Sequence, residues 1–504
     1  MTPAARPPRL VAAAPATCAG LRHVGHFRFR RLGSRCLLTT DAGEFGFVTQ
    51  AELEQLLAGT LPLDAPAREA LREMGLLDGG RAAPDTAARI AERKAFLSVG
   101  PCLHVLVVTL RCNQRCAYCH ASRRPMSTTG VDMTTDVAER AVRVAFQSPA
   151  PSLTFEFQGG EPLANLPVVR HAVEVALDLN RSARKRLTFS LVTNLSLMDE
   201  DMLAWILDRR LQVCTSLDGP ADLHDRIRPL SGGSSHAATV QWMERLNRGY
   251  EERGLDPELY HVEALATVTR ESLGRGRDIV DEYVRRGLRG LFLRPLNPFG
   301  FARRPARRLG YTTDEFLAFY RETLDHVIDL NLRGTDLVER LAGIFLAKIL
   351  SPTDPNFLDI RSPCGAGIGQ IAYGHDGQVF SCDEGRMVHQ MGDPIFRLGD
   401  LERDGYGDLV ESGVVRSLAV ASCLEALPGC TDCAYLPYCG TCPVFNYTTQ
   451  GNIFGRMPDN EKCRLHLGLM DHLFGLLASD DGLDRRRVFE RWASSRERPF
   501  FRHE

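Results

Sequence analysis

Hydrophobic and polar positions follow three different rhythms along this chain. Between His26 and about Gly80, "HFRFRRLGSRCLLTT" alternates with the two-residue period of a β-hairpin. "TQAELEQLLAG" then takes up helical spacing behind Thr49, a hydroxyl suited to an N-cap. "APAREALREMGLL" predicts a second helix, and "GGRAAPDTAARIAERKAF" a linker or exposed helix. Short strands followed by short helices predict a small winged-helix-like module over 26–98.

From Leu103 the rhythm changes to compact apolar strands alternating with amphipathic helices. The strands are "LHVLVVTL", "SLTFEFQGG", "LTFSLVTN", "LQVCTSLDG", "YHVEALATVTR" and "LFLRPLNP", separated by runs such as "LPVVRHAVEVALDLN" and "GRDIVDEYVRRG". Six strand–helix alternations predict an α/β fold whose parallel sheet forms a partial (β/α)6, TIM-like barrel over 99–305. A helical connector follows over 306–362, then a cysteine-rich domain over 363–470 that is poor in periodic runs, then a helix and tail over 471–504. In such barrels function sits where strands end and loops begin. The chemically unusual residues occupy those places: the cysteines after the first strand, "GGEP" after the second, "TN" after the third and "SLDG" after the fourth.

At 504 residues the chain exceeds a single core, and several domains are expected. Its net charge of −2 offers no basic excess for nucleic acid. No apolar run reaches the roughly 18–20 residues that span a bilayer, so no membrane partner is expected. Prolines interrupt the Ala-rich opening, so 1–25 reads as a disordered leader and the protein as cytoplasmic. Three of the 15 cysteines lie between Cys112 and Cys119 and eight between Cys364 and Cys463, a clustering that favours metal over disulfides.

"CNQRCAYC" places Cys112, Cys116 and Cys119 in one loop. Three thiolates leave one iron of a 4Fe–4S cluster open, whereas a zinc site would need a fourth ligand such as His120. The motif resembles the CxxxCxΦC loop of the radical S-adenosylmethionine (SAM) enzymes. That resemblance implies that SAM chelates the open iron and is cleaved reductively to a 5′-deoxyadenosyl radical. It also implies that Tyr118 packs near the adenine, and that Gln158, Gly159, Gly160, Glu161 and Pro162 form the glycine-rich motif receiving the SAM amino group. Asn194, Ser216 and Asp218 would contact the ribose and carboxylate, with Arg228 a further candidate for the carboxylate; each could instead be a turn residue or cap.

The tail resembles the SPASM domain, an extension of radical SAM enzymes that mature peptides and proteins. Cys430, Cys433, Cys439 and Cys463 would then hold one auxiliary 4Fe–4S cluster, and Cys364, Cys382 and Cys442 a second. The Cys439–Cys442 spacing is one residue shorter than the family pattern, and Cys423 is an unassigned further ligand. Asp383 stands where some relatives place a general base. CxxC pairs also bind zinc, which leaves a pair of zinc knuckles as the alternative.

Beyond the cysteines, "FRFRRLG", "TSLDGPADLHD", "FLRPLNPFGFARR" and "LPYCGTCPVFNY" are similar to the His-Xaa-Ser system radical SAM maturases. This likeness implies a small precursor peptide with His-Xaa-Ser repeats as substrate, a second radical SAM protein of the same system, and an external low-potential electron donor. The N-terminal module would bind the peptide's leader as an added strand. Sulfatase-maturase-like oxidation of a single Cys or Ser, and a non-enzymatic zinc-stabilised adaptor, are the alternatives.

Overall fold

The computed structural model describes residues 24–77, 83–299, 309–352, 354–479 and 483–494. Most of the leader expected over 1–25 lies outside the described residues, as does the stretch between Phe299 and Leu309. The chain divides into two compact units, Met1–Ile90 and Ala91–Glu504.

In the first unit β1 (Arg28–Leu32), β2 (Arg35–Thr39) and β3 (Phe45–Thr49) form an antiparallel sheet in the order β1-β2-β3. A two-residue turn at Gly33-Ser34, with Gly33 at φ 60°, joins the first pair in register Leu32↔Arg35. Helix α1 (Gln50–Ala58) starts where the sequence placed its cap. Thr49 accepts from the Glu52 amide at 3.2 Å, and the Glu52 carboxylate accepts from the Thr49 amide at 2.7 Å. Leu38, Val48, Leu53 and Leu56 pack with Leu71 of α2 (Ala67–Glu73) and with Met74 to close a small core.

Helix α3 (Ala83–Arg93) leads towards the second unit, which is built on one ten-stranded sheet. Its parallel part runs β4 (Leu103–Thr109), β5 (Ser152–Gly159), β6 (Arg186–Val192), β7 (Gln212–Ser216), β8 (Glu263–Thr267), β9 (Gly290–Arg294) and β10 (Val338–Glu339), each paired with the next. Between them lie α4 (Thr135–Ala145), α5 (Leu166–Ala183), α6 (Glu200–Asp208), α7 (Ala221–Ile227), α8 (Ser235–Glu252), α9 (Gly276–Arg285) and α10 (Thr313–Leu332). Strand β4 reads as a continuous apolar run because both its faces are covered, as parallel strands require.

The sheet curves into an unclosed barrel. Strands β5 and β9 are four spacings apart, about 19 Å if flat, yet Glu156 on β5 and Arg294 on β9 lie close enough to interact electrostatically.

The cysteine-rich region does not stand apart from this sheet. Strand β11 (Gln370–Tyr373) pairs parallel with β4 in register Ala372↔Val105, and β12 (Gln378–Phe380) and β13 (Arg397–Asp400) extend it antiparallel. The "YGHDGQ" turn between β11 and β12 depends on Gly377 at φ 83°. Helix Glu461–Leu477 begins inside the cysteine-rich domain expected over 363–470 and runs into the expected tail, which also holds Leu483–Ser494, a helix that buries Phe489 and Trp492.

Glu339 joins three elements at the far edge of the barrel. Fully buried, it caps α11 (Arg340–Leu350) by accepting from the Ala342 amide at 2.7 Å, accepts from the Leu293 amide at 3.2 Å, and accepts the Tyr320 hydroxyl. Glu339→Ala strands these donors in the core. It is expected to lower the unfolding free energy by about 2–4 kcal/mol, read as a lower urea midpoint.

Candidate active site

The cysteine loop leaves β4 between two clamps. On one side Thr109 donates to Asp132 at 2.5 Å, Arg111 donates to the same carboxylate at 2.8 Å, and Arg111 also reaches the Ala164 carbonyl at 2.8 Å. There the glycine pair meets the loop. The Gly160 amide donates to the Thr109 carbonyl (2.8 Å) and the Glu161 amide to that of Arg111 (2.7 Å). A Cβ on Gly159 would lie 2.1 Å from the Thr109 oxygen, and one on Gly160 2.2 Å from that of Arg111. Gly159 also has φ 138°. The close backbone approach that the glycines permit is therefore made, first of all, to the chain's own cysteine loop.

On the other side the Arg115 and Ala117 amides donate to the carbonyls of Pro229 and Ile227, at 3.2 and 3.0 Å. Inside this clamp Tyr118 donates to Asp218 Oδ2 at 2.7 Å, and Arg228 Nε donates to both Tyr118 Oη (2.7 Å) and Asp218 Oδ2 (2.9 Å). The guanidinium also lies 5.4 Å from the Tyr118 ring centre. The other Asp218 oxygen accepts the Thr267 amide at 2.9 Å. Burial alone would lower the pKa of Arg228, but Cys116, Tyr118 and Asp218 outweigh it and hold the guanidinium firmly charged.

Asp218, expected among the SAM contacts, thus spends both oxygens within the protein and is 1% exposed; a carboxylate that deeply buried must be paired. It acts through Tyr118 and Arg228. Glu161 is likewise internal. Its carboxylate accepts from the Thr193 hydroxyl (2.6 Å) and from the Asn194 (2.8 Å) and Leu163 (3.1 Å) amides. Pro162 opens the short 3-10 turn that follows. Asn194 does face the loop: its Nδ2 donates to Asn113 at 3.1 Å and lies 3.8 Å from the Cys112 sulfur. Gln158 and Ser216 are partly open at the ends of β5 and β7.

Burial pushes the Cys112 and Cys116 thiols up, to about 12 and about 11. Cys119 is electrostatically coupled to both. Two further sets form in the tail. Cys364, Cys382 and Cys442 interact with one another inside one apolar cluster with Phe299, Leu418 and Val444. Cys430, Cys433, Cys439 and Cys463 interact in a second group, beside which His466 Nδ1 sits 3.5 Å from the Cys439 sulfur. Cys423 belongs to neither; it donates to Glu425 at 3.3 Å. Among the described residues no three His, Cys, Asp or Glu side chains converge on one point as the ligands of a single metal ion do. Asp383 begins α12 (Asp383–Gln390), where Arg386 donates to it at 2.7 Å.

Sequence reading overlooked the Arg111–Asp132 clamp, the half-buried Lys462–Asp359 pair beside Cys442, and Glu156 with Arg294 inside the barrel. A signal for the last pair was present: one acid in the apolar strand "SLTFEFQGG" and one base in "LFLRPLNP".

Two outcomes are expected. Asp218→Ala leaves the Arg228 guanidinium buried and unpaired, destabilising the fold by about 3–5 kcal/mol; iron retained after anaerobic reconstitution should fall with it. Burial, partly offset by its three donors, raises Glu161 from 4.5 to about 7. The folded chain therefore binds that proton more tightly than the unfolded one. Its stabilising contribution is complete below 4.5 and lost as pH rises through about 7. Thermal melts should show wild-type stability falling relative to Glu161→Gln between about pH 5 and about pH 8.

Residues 106–251 match the family model of the radical SAM superfamily. The cysteine-type anaerobic sulfatase-maturating enzyme of Clostridium novyi is 24% identical over 358 residues, which is 68% of this chain and 89% of that protein. Its counterpart in Clostridium perfringens is 24% identical over 281 residues, 54% of this chain and 71% of the relative. Among solved structures, anSMEcpe with bound AdoMet aligns with a TM-score of 0.62 at 18% identity, over 78% of this chain and 99% of that one. Streptococcus suis SuiB bound to S-adenosylmethionine aligns at 0.52 and 15% identity, over 86% and 99%. The structural likenesses show a shared fold. The family match begins inside β4 and ends within α8, so the strands that carry the cysteine loop and the glycine pair are those of a radical SAM domain. The chain therefore carries a radical SAM domain; it is an enzyme whose cofactors are S-adenosylmethionine and 4Fe–4S iron–sulfur.

Proposed function

We propose that this enzyme oxidatively modifies a ribosomally made precursor peptide with His-Xaa-Ser-type repeats, most simply by closing a cross-link. The observation that carries the reading is the sorting of ten cysteines into three coupled sets, one of three at the barrel mouth and sets of three and four in the tail. Three thiolates leave one iron of a cube open, and four complete one. Cys112, Cys116 and Cys119 would hold the cluster that meets SAM; Cys364, Cys382 and Cys442, and Cys430, Cys433, Cys439 and Cys463, would hold auxiliary clusters.

Bound together, SAM and its cluster supply a 5′-deoxyadenosyl radical that takes a hydrogen atom from substrate. The chain's own groups prepare the place. Tyr118, locked by Asp218 and Arg228, fixes the loop. Gln158 and the Gly159–Pro162 turn present backbone carbonyls, and Asn194 and Ser216 offer polar contacts at the neighbouring strand ends. Asp383 would accept a proton only by loosening its bond to Arg386. Cys364, Cys382 and Cys442 would hold a redox-active cluster, and the apolar packing around them, with Lys462 and Asp359 beside it, would tune its potential.

The peptide as substrate agrees with SuiB, solved with its precursor peptide SuiA. In this reading the first unit, a three-stranded antiparallel sheet with the half-exposed Phe29 on β1, would receive the peptide's leader. An electron donor and a second radical SAM protein are the remaining partners in this reading. Oxidation of a single Cys or Ser on a protein is the second reading, favoured by the sulfatase-maturating relatives. The family match sets the non-enzymatic adaptor aside.

The test is anaerobic turnover of a synthetic His-Gly-Ser repeat peptide with reconstituted enzyme, SAM and a strong reductant. Loss of a hydrogen pair from the peptide, matched by 5′-deoxyadenosine that carries deuterium from labelled peptide, is the expected outcome. Deoxyadenosine without peptide change, alongside conversion of a Cys- or Ser-containing sulfatase peptide, selects the second reading. Replacing Cys112, Cys116 and Cys119 together by Ala should abolish SAM cleavage while the auxiliary iron remains.

A further inference from the structure

We propose that the cavity between α8 and the end of α9, on the outer wall of the barrel, binds a small phosphate-bearing effector, and that α8 carries its presence to Arg228 and Asn194. Occupancy of this cavity is independent of which peptide the enzyme modifies.

Helical spacing puts His236, Val240, Glu244 and Arg248 on one stripe of α8, with Arg245 beside it. That face and Arg286, just past α9, line a cavity of about 440 Å³, within the size range of small-ligand clefts. Three guanidiniums border it, and acids hold two of them in place. Both Nη atoms of Arg245 donate to Glu200, at 2.5 and 2.6 Å, and its guanidinium lies 4.6 Å from the Trp242 ring centre. Arg286 donates through Nε to Glu282 at 2.8 Å and through Nη1 to Glu244 at 3.2 Å. Arg245 Nε, Arg286 Nη2 and the whole Arg248 guanidinium keep no partner among the described residues.

Charge and geometry both favour an oxyanion. Glu200, Glu244 and Glu282 stand against four arginines, since Arg285 is also paired with Glu282. Burial raises Glu282, but Arg286 and His236 outweigh it and keep the carboxylate ionised. Three of the guanidiniums are thus matched, and Arg248 remains as positive charge at the open side. Guanidinium forks fit phosphate oxygens, and arginines fixed beforehand lose little freedom on binding. A diphosphate or phosphate ester has enough oxygens to meet donors from three arginines at once.

The first turns of the same helix reach the active site. The Ser235 hydroxyl donates to the Arg228 carbonyl at 2.6 Å, and the Thr239 hydroxyl to the Asn194 carbonyl at 3.2 Å. His236, on the cavity wall, lies 3.0 Å from Glu282 and packs edge-on against His224, with ring centres 5.7 Å apart. His224 Nδ1 in turn accepts the Asp218 amide at 3.2 Å. The cavity wall is therefore joined to the residues that lock Tyr118 and to the one that faces Cys112. An anion bridging Arg248 and Arg286 ties α8 to α9 and steadies those contacts. Effector and SAM then favour the same arrangement, and each strengthens binding of the other.

The experiment uses the full chain, its clusters reconstituted anaerobically, and isothermal titration calorimetry at constant ionic strength. Inorganic pyrophosphate is the probe and citrate the carboxylate control; iron content before and after each titration excludes chelation. Pyrophosphate is expected to bind about tenfold more tightly than citrate. Arg248→Gln, at an exposed position, should weaken pyrophosphate about tenfold while leaving SAM binding in its absence unchanged, and Arg286→Gln should weaken it similarly. With pyrophosphate saturating, SAM should bind about fivefold more tightly. Thr239→Val should remove that gain while pyrophosphate still binds. No binding of pyrophosphate, or binding that both arginine substitutions leave intact, overturns the site. Citrate bound as tightly overturns the phosphate assignment, and a SAM affinity that pyrophosphate does not raise overturns the effector role. Each result stands whether or not a His-Gly-Ser peptide is turned over. Circular dichroism identifies a variant that has not folded; Arg248→Gln, which breaks no bond within the described residues, then decides the matter.

Discussion

The ion pair between Arg228 and Asp218 is the joint through which the cysteine loop, the end of β7 and the segment after α7 constrain one another. A charged guanidinium at that depth is tolerable only beside a carboxylate, and this carboxylate also holds the Thr267 amide and the Tyr118 hydroxyl. The ends of β7 and β8 and the loop are thereby tied to a pair whose geometry admits little play. The backbone of the loop is also bonded to Ile227 and Pro229, so protein contacts on both sides hold the segment that carries the cysteines. Such preorganisation matters for a site whose ligands must be deprotonated in a buried place where their thiols resist it.

The second constraint is the close meeting of β5 and the start of that loop. The glycine pair removes two Cβ atoms that would otherwise strike the Thr109 and Arg111 carbonyls, and Glu161 then reaches across to anchor the β6 end. Loop, glycine turn and the Thr193–Asn194 corner form a single rim. A substitution in one part is transmitted to the others by hydrogen bonds rather than by diffuse packing.

Much of this was legible in the residues. The apolar strand runs and their helical spacers fixed the order of the barrel, and Thr49 marked a helix start. Cys423, read as a further candidate ligand, bonds to Glu425 instead. The roles of Asp218 and Glu161 were not legible. A lone acid in a loop reads as a ligand or a turn former, and only the three-dimensional arrangement reveals that its oxygens are already engaged by amides far away in sequence, such as Thr267. The pairing of the cysteine-rich region with the barrel was not legible for a related reason. The region's strands are short and its periodicity weak, so nothing local announced that β11 would extend the barrel's own sheet. That pairing is decided by register with β4, a long-range match that no window of sequence contains.

The placement of β11 bears on how the protein comes into being. Strand β4 emerges from the ribosome early, but one of its two hydrogen-bonded neighbours, Gln370–Tyr373, is synthesised long after Leu103–Thr109. Until then β4 presents an unpaired apolar edge in the nascent chain, the kind of edge on which chains aggregate or mispair. High contact order at this one seam makes completion of the barrel a late event in folding. The cysteine-rich region is thus the final stave of the barrel, and it cannot be cut away as an appendage without reopening the strand that bears the catalytic loop.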